Sequence, residues 1–190
     1  MGTVEIVDSE TLLSLSSIKE LTNIEEIYQG VVGKFIYKKG SSLSFYDTIA
    51  KKTLKTLDDF TIKDIKSIKW NDSFTSCAII CDFAIFIMNK NFKALARICE
   101  GTNVLGGFWT KQGIFIYSTL HHIKYALSNG DNGIIKSTNS DCYPVALSKG
   151  KISILDINFK LNNMKVDLAE MEFKNAILHS DMPKVKKFIK

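Results

Sequence analysis

At 190 residues, with 45% hydrophobic and 24% charged side chains, the chain has the composition of a globular protein with a sizeable core and not that of a disordered tail. Its longest apolar runs, residues 77–81 and 83–88, are separated by Asp82 and fall short of the roughly 20 residues that a membrane-spanning helix requires. The 25 basic and 20 acidic side chains leave a formal charge of +5, but Arg97 is the single arginine, which argues against a nucleic-acid partner read through guanidinium forks.

The scattered lysines are read as solvated cover on outward strand faces that keeps edges from pairing, in preference to attraction toward an anionic membrane surface. No basic segment precedes an apolar stretch at Met1, so no secretory signal is expected and the cytosol is the expected compartment. There the four cysteines, Cys77, Cys81, Cys99 and Cys142, are expected to be reduced.

Taken in chain order, residues 4–7 and 12–15 read as two short strands around the polar break Asp8-Ser9-Glu10-Thr11, outer strands of an incomplete unit. A first full unit spans about Ile18 to Phe60, with strands at 24–28, 34–37 and 43–47 and an outer strand around 54–57. A second runs from Ile65 to Cys99, with strands at 65–70, 77–81 and 83–88, the latter two almost continuously apolar, as strands covered on both faces are. A third has strands at 104–109, 113–117 and 122–126, a turn with two Asn-Gly pairs at 129–130 and 132–133, and a last strand near Ile134-Ile135. A fourth, less regular, covers Tyr143 through 145–147 and 152–155.

Tyr28, Trp70 and Trp109 end the first strand of successive units and stand 42 and then 39 residues apart. A period near 40 with up to four strands per unit predicts the blades of a β-propeller, each needing neighbours to bury its faces. The fold class expected is therefore mainly β: about three to four WD40-like blades, followed by a short C-terminal helical hairpin. The domain limits expected are 1–165 for the blades and 166–190 for the helices.

In the helical part, residues 168–178 carry helix formers with Phe173 and Ile177 four apart, and His179-Ser180-Asp181 breaks the pattern. Pro183 near the start, Ser180 or Asp181 as cap, and Val185, Phe188 and Ile189 on one face predict a second helix.

No nucleophile elbow, Walker loop, zinc-protease or dinucleotide motif occurs. Cys77 and Cys81, four apart on a strand, would lie about 13 Å from each other, too far to share a metal, and read as buried thiols. His121 and His122 are adjacent and point to opposite faces of a strand, while His179 can serve the carbonyl end of a helix. Asp131 and Asp141 with Ser140 or Cys142 read as turn residues and not as a nucleophilic set. Gly101, Gly106 and Gly107 surround a strand and do not open a helix, so they cradle no phosphate. Trp70 and Trp109 read as packing side chains more than as recognition aromatics. No catalytic, cofactor-binding or metal-binding residue is assigned, and no enzyme activity or cofactor is expected.

From about Leu21 onward the chain resembles the alpha subunit of coatomer. The resemblance rests on Ala84-Ile85-Phe86-Ile87 with Asn91, Leu95 and Ile98, on Gly107-Phe108-Trp109 followed by residues 113–117, and most specifically on His122-Ile123-Lys124-Tyr125-Ala126 followed by Gly130-Asp131 and Gly133-Ile134-Ile135. The stretch Glu172-Phe173-Lys174 with Ala176-Ile177-Leu178 is similar to the point where that family passes from its second propeller into an α-solenoid. The resemblance implies a structural subunit of a vesicle coat in Golgi-to-ER and intra-Golgi transport, a cytoplasmic protein peripheral on Golgi membrane and vesicles, with beta-prime and epsilon-type coatomer subunits as partners. It carries over no cargo-binding residue, because the propeller that reads dilysine signals has no counterpart here.

The WD dipeptide is missing: Tyr46-Asp47, Met88-Asn89 and Ala126-Leu127 stand at the expected strand ends. A small independent propeller binding peptides, or a propeller enzyme, are the alternative expectations. Because three to four units cannot close the seven-bladed ring that the resemblance implies, self-association is expected, with Ile177, Val185, Phe188 and Ile189 exposed.

Overall fold

Short apolar segments punctuated by Asx-stabilised turns fold as antiparallel meanders in the computed structural model, which describes residues 4–19, 21–57, 62 and 64–189. The chain divides into two compact units, Met1–Lys63 and Asp64–Lys190, which are taken in turn.

In the first unit β1 (Val4–Val7) pairs with β2 (Ser14–Ile18) in a two-stranded sheet. The strands β3 (Glu26–Gln29), β4 (Lys34–Lys39), β5 (Ser42–Asp47) and β6 (Lys52–Leu57) pair in sequence order as a four-stranded sheet. Ile18, Leu21, Tyr37 and Tyr46 are buried together, with Val4, Ile6, Ile24 and Phe35 packed against them. The expected strand at 12–15 begins instead at Ser14, because Asp8 folds a turn. Its Oδ1 accepts the N–H groups of Glu10 and Thr11, and Leu12 takes a left-handed φ of 56°, leaving Leu12 and Leu13 exposed. Phe60, the expected end of this unit, lies outside the described residues.

The second unit holds two four-stranded sheets: β7 (Ile65–Trp70), β8 (Ser76–Cys81), β9 (Ala84–Asn89) and β10 (Ala94–Cys99), then β11 (Val104–Trp109), β12 (Phe115–Thr119), β13 (His122–Ala126) and β14 (Asn132–Ser137). A three-stranded sheet follows, β15 (Cys142–Ser148), β16 (Lys151–Asp156) and β17 (Leu161–Lys165), and then α1 (Ala169–Leu178) and α2 (Met182–Phe188). Every described ladder is antiparallel.

Side-chain alternation gives a strand two faces, and the segment entering β12 uses both. Phe115 and Tyr117 join Ala78, Ile80, Ile85 and Ile87 in one cluster, while Ile114 and Ile116 join Ile152, Ile154 and Met171 in the next. One strand thus faces two seams. Gly107 lets β11 close on β12, since a Cβ there would stand 2.6 Å from the Ile116 carbonyl oxygen. Gly133 leaves room for the Tyr125 ring, 2.7 Å from where its Cβ would be.

The turns explain the missing WD dipeptide. Asp47 Oδ1 accepts the N–H groups of Ile49 and Ala50, Asn89 Oδ1 those of Asn91 and Lys93, and Asp156 Oδ1 those of Asn158 and Lys160. An Asx side chain at the strand end caps these three turns, and no tryptophan is required before it; after Ala126-Leu127 the Asx side chain is Asn129, within the turn, whose Oδ1 accepts the Asp131 N–H.

The helices differ from expectation in their apolar faces. In α1 the buried residues are Met171, Asn175 and Ala176, while Ile177 keeps 52% exposure. Asp181 caps α2 by accepting the Lys184 N–H, with Pro183 in the first turn. Phe188 and Ile189 are exposed as expected, but Val185 is not: it is 7% exposed. The short turn folds α2 back on α1, Phe173 meeting Phe188 edge-on at 5.9 Å, and this closes off the side that Val185 occupies.

Candidate functional site

The chemistry of the second unit concentrates at its seams. Glu100 lies in the connection from β10 to β11, its own N–H donating to the Phe83 carbonyl. Tyr117 on β12 donates its hydroxyl to Glu100 Oε1 at 2.6 Å, and Lys124 on β13 donates Nζ to both carboxylate oxygens at 2.6 and 2.9 Å. The Lys124 ammonium also stands 5.9 Å from the Tyr117 ring centre. The Glu100 and Lys124 side chains keep only 8% and 16% exposure. Burial, and then the Glu100 carboxylate, push the Tyr117 hydroxyl well above the usual phenol range. The trio is a satisfied ion pair holding a proton tightly, which suits a structural clamp and not proton transfer.

Lys66 on β7 pairs with Asp82 at 2.9 Å and reaches across to the next sheet, donating to Asn103 Oδ1 and to the Val104 carbonyl. The Trp109 indole N–H donates to the Lys69 carbonyl at 2.8 Å. Ser118 donates to the Cys142 carbonyl at 2.6 Å, joining the β11–β14 sheet to β15.

A second trio fastens α1. Tyr125 donates its hydroxyl to Glu170 at 2.9 Å, and Lys174 pairs with Glu170 at 3.0 Å and with Asp131 at 3.1 Å. Its ammonium lies 5.8 Å from the Tyr125 ring centre. The Glu170 carboxylate holds Lys174 well above the usual ammonium range, and Lys174 in turn lowers Glu170. Beneath these charges Met171 is buried with Ile114, Ile116, Tyr125 and Ile152, and Leu168 and Leu178 pack against that cluster. A shallow depression of about 250 Å3, lined by Ala169, Glu170, Phe173, Phe188 and Ile189, opens beside the two helices.

The residues singled out in the sequence form no reactive set among the described residues. Burial pushes the Cys77 thiol up to about 12, and burial with the charges of Asp64 and Asp82 pushes Cys81 up to about 11, so both are protonated packing groups. Cys142 is buried at the start of β15 and raised by that burial; Cys99 is exposed and unpaired. Asp131 is held by Lys174 and not joined to Cys142 as a nucleophilic set. His121 precedes β13, its carbonyl accepting the Thr138 N–H, and His122 opens that strand. His179 ends α1, its N–H donating to the Asn175 carbonyl. Among the described residues no group of three or more His, Cys, Asp or Glu could hold a metal ion. Trp109 packs against the first seam cluster, and Trp70 contacts Phe92 and Phe74; both are half-buried.

The seam residues escaped sequence reading. Glu100 stands in a polar connection, and Lys124 and Lys174 look like the other lysines. The one available signal was a lysine flanked by apolar neighbours in His122-Ile123-Lys124-Tyr125-Ala126.

Against known proteins, the model of the COPA/B second beta-propeller matches residues 1–156. Coatomer subunit alpha-2 of Oryza sativa subsp. japonica is 31% identical over 166 residues, 87% of this chain. The putative coatomer subunit alpha of Schizosaccharomyces pombe is 26% identical over 184 residues, 96% of this chain. The chain spans only 13% and 15% of those two relatives. Among solved structures, the Dos1 propeller aligns with a TM-score of 0.62 at 17% identity, over 85% of this chain and 46% of that one. The Cps50 (Swd1) beta-propeller domain of Myceliophteria thermophila aligns with a TM-score of 0.51 at 12% identity, over 77% and 58%. The fold is that of part of a β-propeller with short C-terminal helices.

Proposed function

This chain belongs to the COPA/B second beta-propeller family, and we propose that it serves as a non-enzymatic scaffold segment of a coatomer alpha-type subunit. In this reading residues 1–165 are propeller blades and 166–190 are the first helices of an α-solenoid. The coat acts in Golgi-to-ER and intra-Golgi transport, cytoplasmic and peripheral on Golgi membrane, with beta-prime and epsilon-type subunits as neighbours.

The observation that carries the proposal is the fastening of α1 to the sheets. A buried methionine and a Tyr125–Glu170–Lys174–Asp131 network fix the helix on the strands instead of letting it hang from a linker. A helix docked in this way transmits the orientation of the blades to whatever follows it, which is what a coat scaffold must do. The buried, proton-holding seams fit the same role.

The test is reconstitution. The chain replaces residues aligned with it in the Schizosaccharomyces pombe relative, and assembly with beta-prime and epsilon-type subunits is followed by size-exclusion chromatography. Assembly at wild-type yield is expected. Assembly lost with the fold intact would count against the scaffold reading. We also propose that the isolated chain self-associates, since Ile177, Phe188 and Ile189 stay exposed at 52%, 37% and 72%. Sedimentation at micromolar concentration is expected to give a mass above that of one chain, and a clean monomer would oppose it.

A further inference from the structure

The turns that follow β7 and β9 lie side by side, the Lys90 N–H donating to the Thr75 carbonyl at 2.8 Å. There Trp70 rests on the buried Phe92, ring centres 6.1 Å apart and edge-on, and beside Phe74 at 6.4 Å. The Trp109 indole, bonded to the Lys69 carbonyl, continues this surface to the end of β11.

Phe74 is 36% exposed and adopts φ 53°, a left-handed conformation that a bulky side chain enters at a steric cost and that glycine fills freely. The turn does not need phenylalanine for its shape. Asn71 Oδ1 accepts the N–H groups of Thr75 and Ser76, its amide donates to Thr75 Oγ1, and Ser73 bonds the same hydroxyl. A strained position therefore presents an aromatic ring on a rigid turn.

Lys90 and Lys93 belong to the neighbouring turn, Lys69 directly precedes Trp70, and Lys111 stands in the turn after β11; all four are exposed and none is ion-paired among the described residues. Asp72 is the acidic side chain in these turns. An apolar centre on turns that carry unpaired lysines is complementary to carboxylates flanking a large apolar side chain. A pre-formed surface also loses little freedom on binding. Lysines are point charges without the fork that reads bases, which disfavours a nucleic acid here.

We propose that this end of the β7–β10 sheet is a docking surface for an acidic protein segment carrying one large apolar anchor, with Phe74 and Trp70 receiving the anchor and the four lysines the carboxylates. The proposal goes beyond the coat-scaffold reading and stands independently of it.

The test uses the full chain and fluorescence anisotropy with a fluorescein-labelled peptide of glutamates around a central leucine. Saturable binding that weakens as salt rises is expected. Phe74→Gly is expected to weaken it about tenfold while leaving Tm unchanged or higher, because glycine relieves the backbone. The Lys69→Gln, Lys90→Gln, Lys93→Gln, Lys111→Gln variant is expected to weaken it by a similar factor or more. The proposal is overturned if the wild-type chain does not bind the peptide or if Phe74→Gly binds it unchanged. It is equally overturned if Phe74→Gly lowers Tm, making Phe74 a packing residue. Binding of phosphatidylserine vesicles or a single-stranded oligonucleotide in place of the peptide, with the same dependence on Phe74, would also overturn it.

Discussion

Two seams of the second unit are fastened by the same chemical trio, a tyrosine and a lysine converging on a glutamate, and they differ in burial. Glu100, in the connection between two sheets, is held by Tyr117 on β12 and Lys124 on β13, with its carboxylate 8% exposed. Glu170, Lys174 and Tyr125 fasten α1, with the Glu170 carboxylate 64% exposed. The lysine lies over the tyrosine ring at almost the same distance in both, 5.9 and 5.8 Å. Water makes the difference: stranding a charge is costly where solvent cannot reach it and cheap where it can. The first trio binds its two sheets into one body, while the second sets where the helix lies and leaves Met171 below to hold it there.

The comparison breaks most visibly at Lys124. Lys124→Met leaves the Glu100 carboxylate buried without its cation, and a loss of about 3–5 kcal/mol is expected. Trp70 and Trp109 both belong to the second unit, so their fluorescence in a urea titration reads this directly. Adding Glu100→Gln should recover part of the loss, because the buried charge is then gone. A cost below about 1 kcal/mol for Lys124→Met would show that the buried trio behaves as a surface pair.

The next effect separates apolar from polar fastening of the helix. Met171 is 1% exposed within the cluster that includes Ile116 and Ile152. Met171→Ala should cost about 2–4 kcal/mol, combining lost burial with the cavity left behind. Hydrogen exchange should show α1 losing protection while β7–β10 keeps it. Equal loss in both would mean that the helix and sheets unfold as one unit and that α1 is no separable element.

The alkaline limb concerns the first seam and its sheet. Cys77 and Cys81 are held protonated, up to about 12 and 11, against an ordinary value of 9.0. A folded pKa above the unfolded one means that the stabilisation is complete below pH 9 and is lost as pH rises through the folded values. Tm should therefore fall from about pH 9 upward, with proton release on unfolding. Cys77→Ala with Cys81→Ala should flatten that limb at some cost in Tm at neutral pH. A limb unchanged in the double variant would assign it to Tyr117 instead, whose hydroxyl is raised in the same direction.

Sequence and structure agree best where the repeat itself anchors the strands. Residues 65–70, 104–109 and 122–126 are strands with the expected limits, even though each carries a register shift, and the four-stranded units follow from the spacing of Tyr28, Trp70 and Trp109. Agreement fails where tertiary contact decides. β17 carries only Leu161 and Met164 as apolar side chains, and β16 recruits it by pairing. In the sequence Val185 reads as part of an open face, because nothing in its own helix shows that α2 folds back on α1. The trios were invisible for a related reason. Glu100 and Lys124 stand 24 residues apart and Tyr125 and Glu170 stand 45 apart, so spacing within one element carries no trace of either pair.

The smallest effect sharpens the comparison from the exposed side. Lys174→Met removes the cation that Glu170 and Asp131 share, yet both carboxylates keep access to water, so a cost under about 1 kcal/mol is expected. The loss should shrink further in high salt, which screens an exposed pair far more than a buried one. Its pH signature has two limbs. Lys174 is raised from 10.5 chiefly by Glu170, so its share is complete below that value and disappears as pH rises. Glu170 is lowered from 4.5 chiefly by Lys174, so its share is present above that value and disappears as pH falls. In Lys174→Met both limbs should flatten, read as the Tm difference from wild type at pH 3, 7 and 11. Salt insensitivity, or a cost matching that of Lys124→Met, would mean that α1 shelters its trio as closely as the sheets shelter theirs.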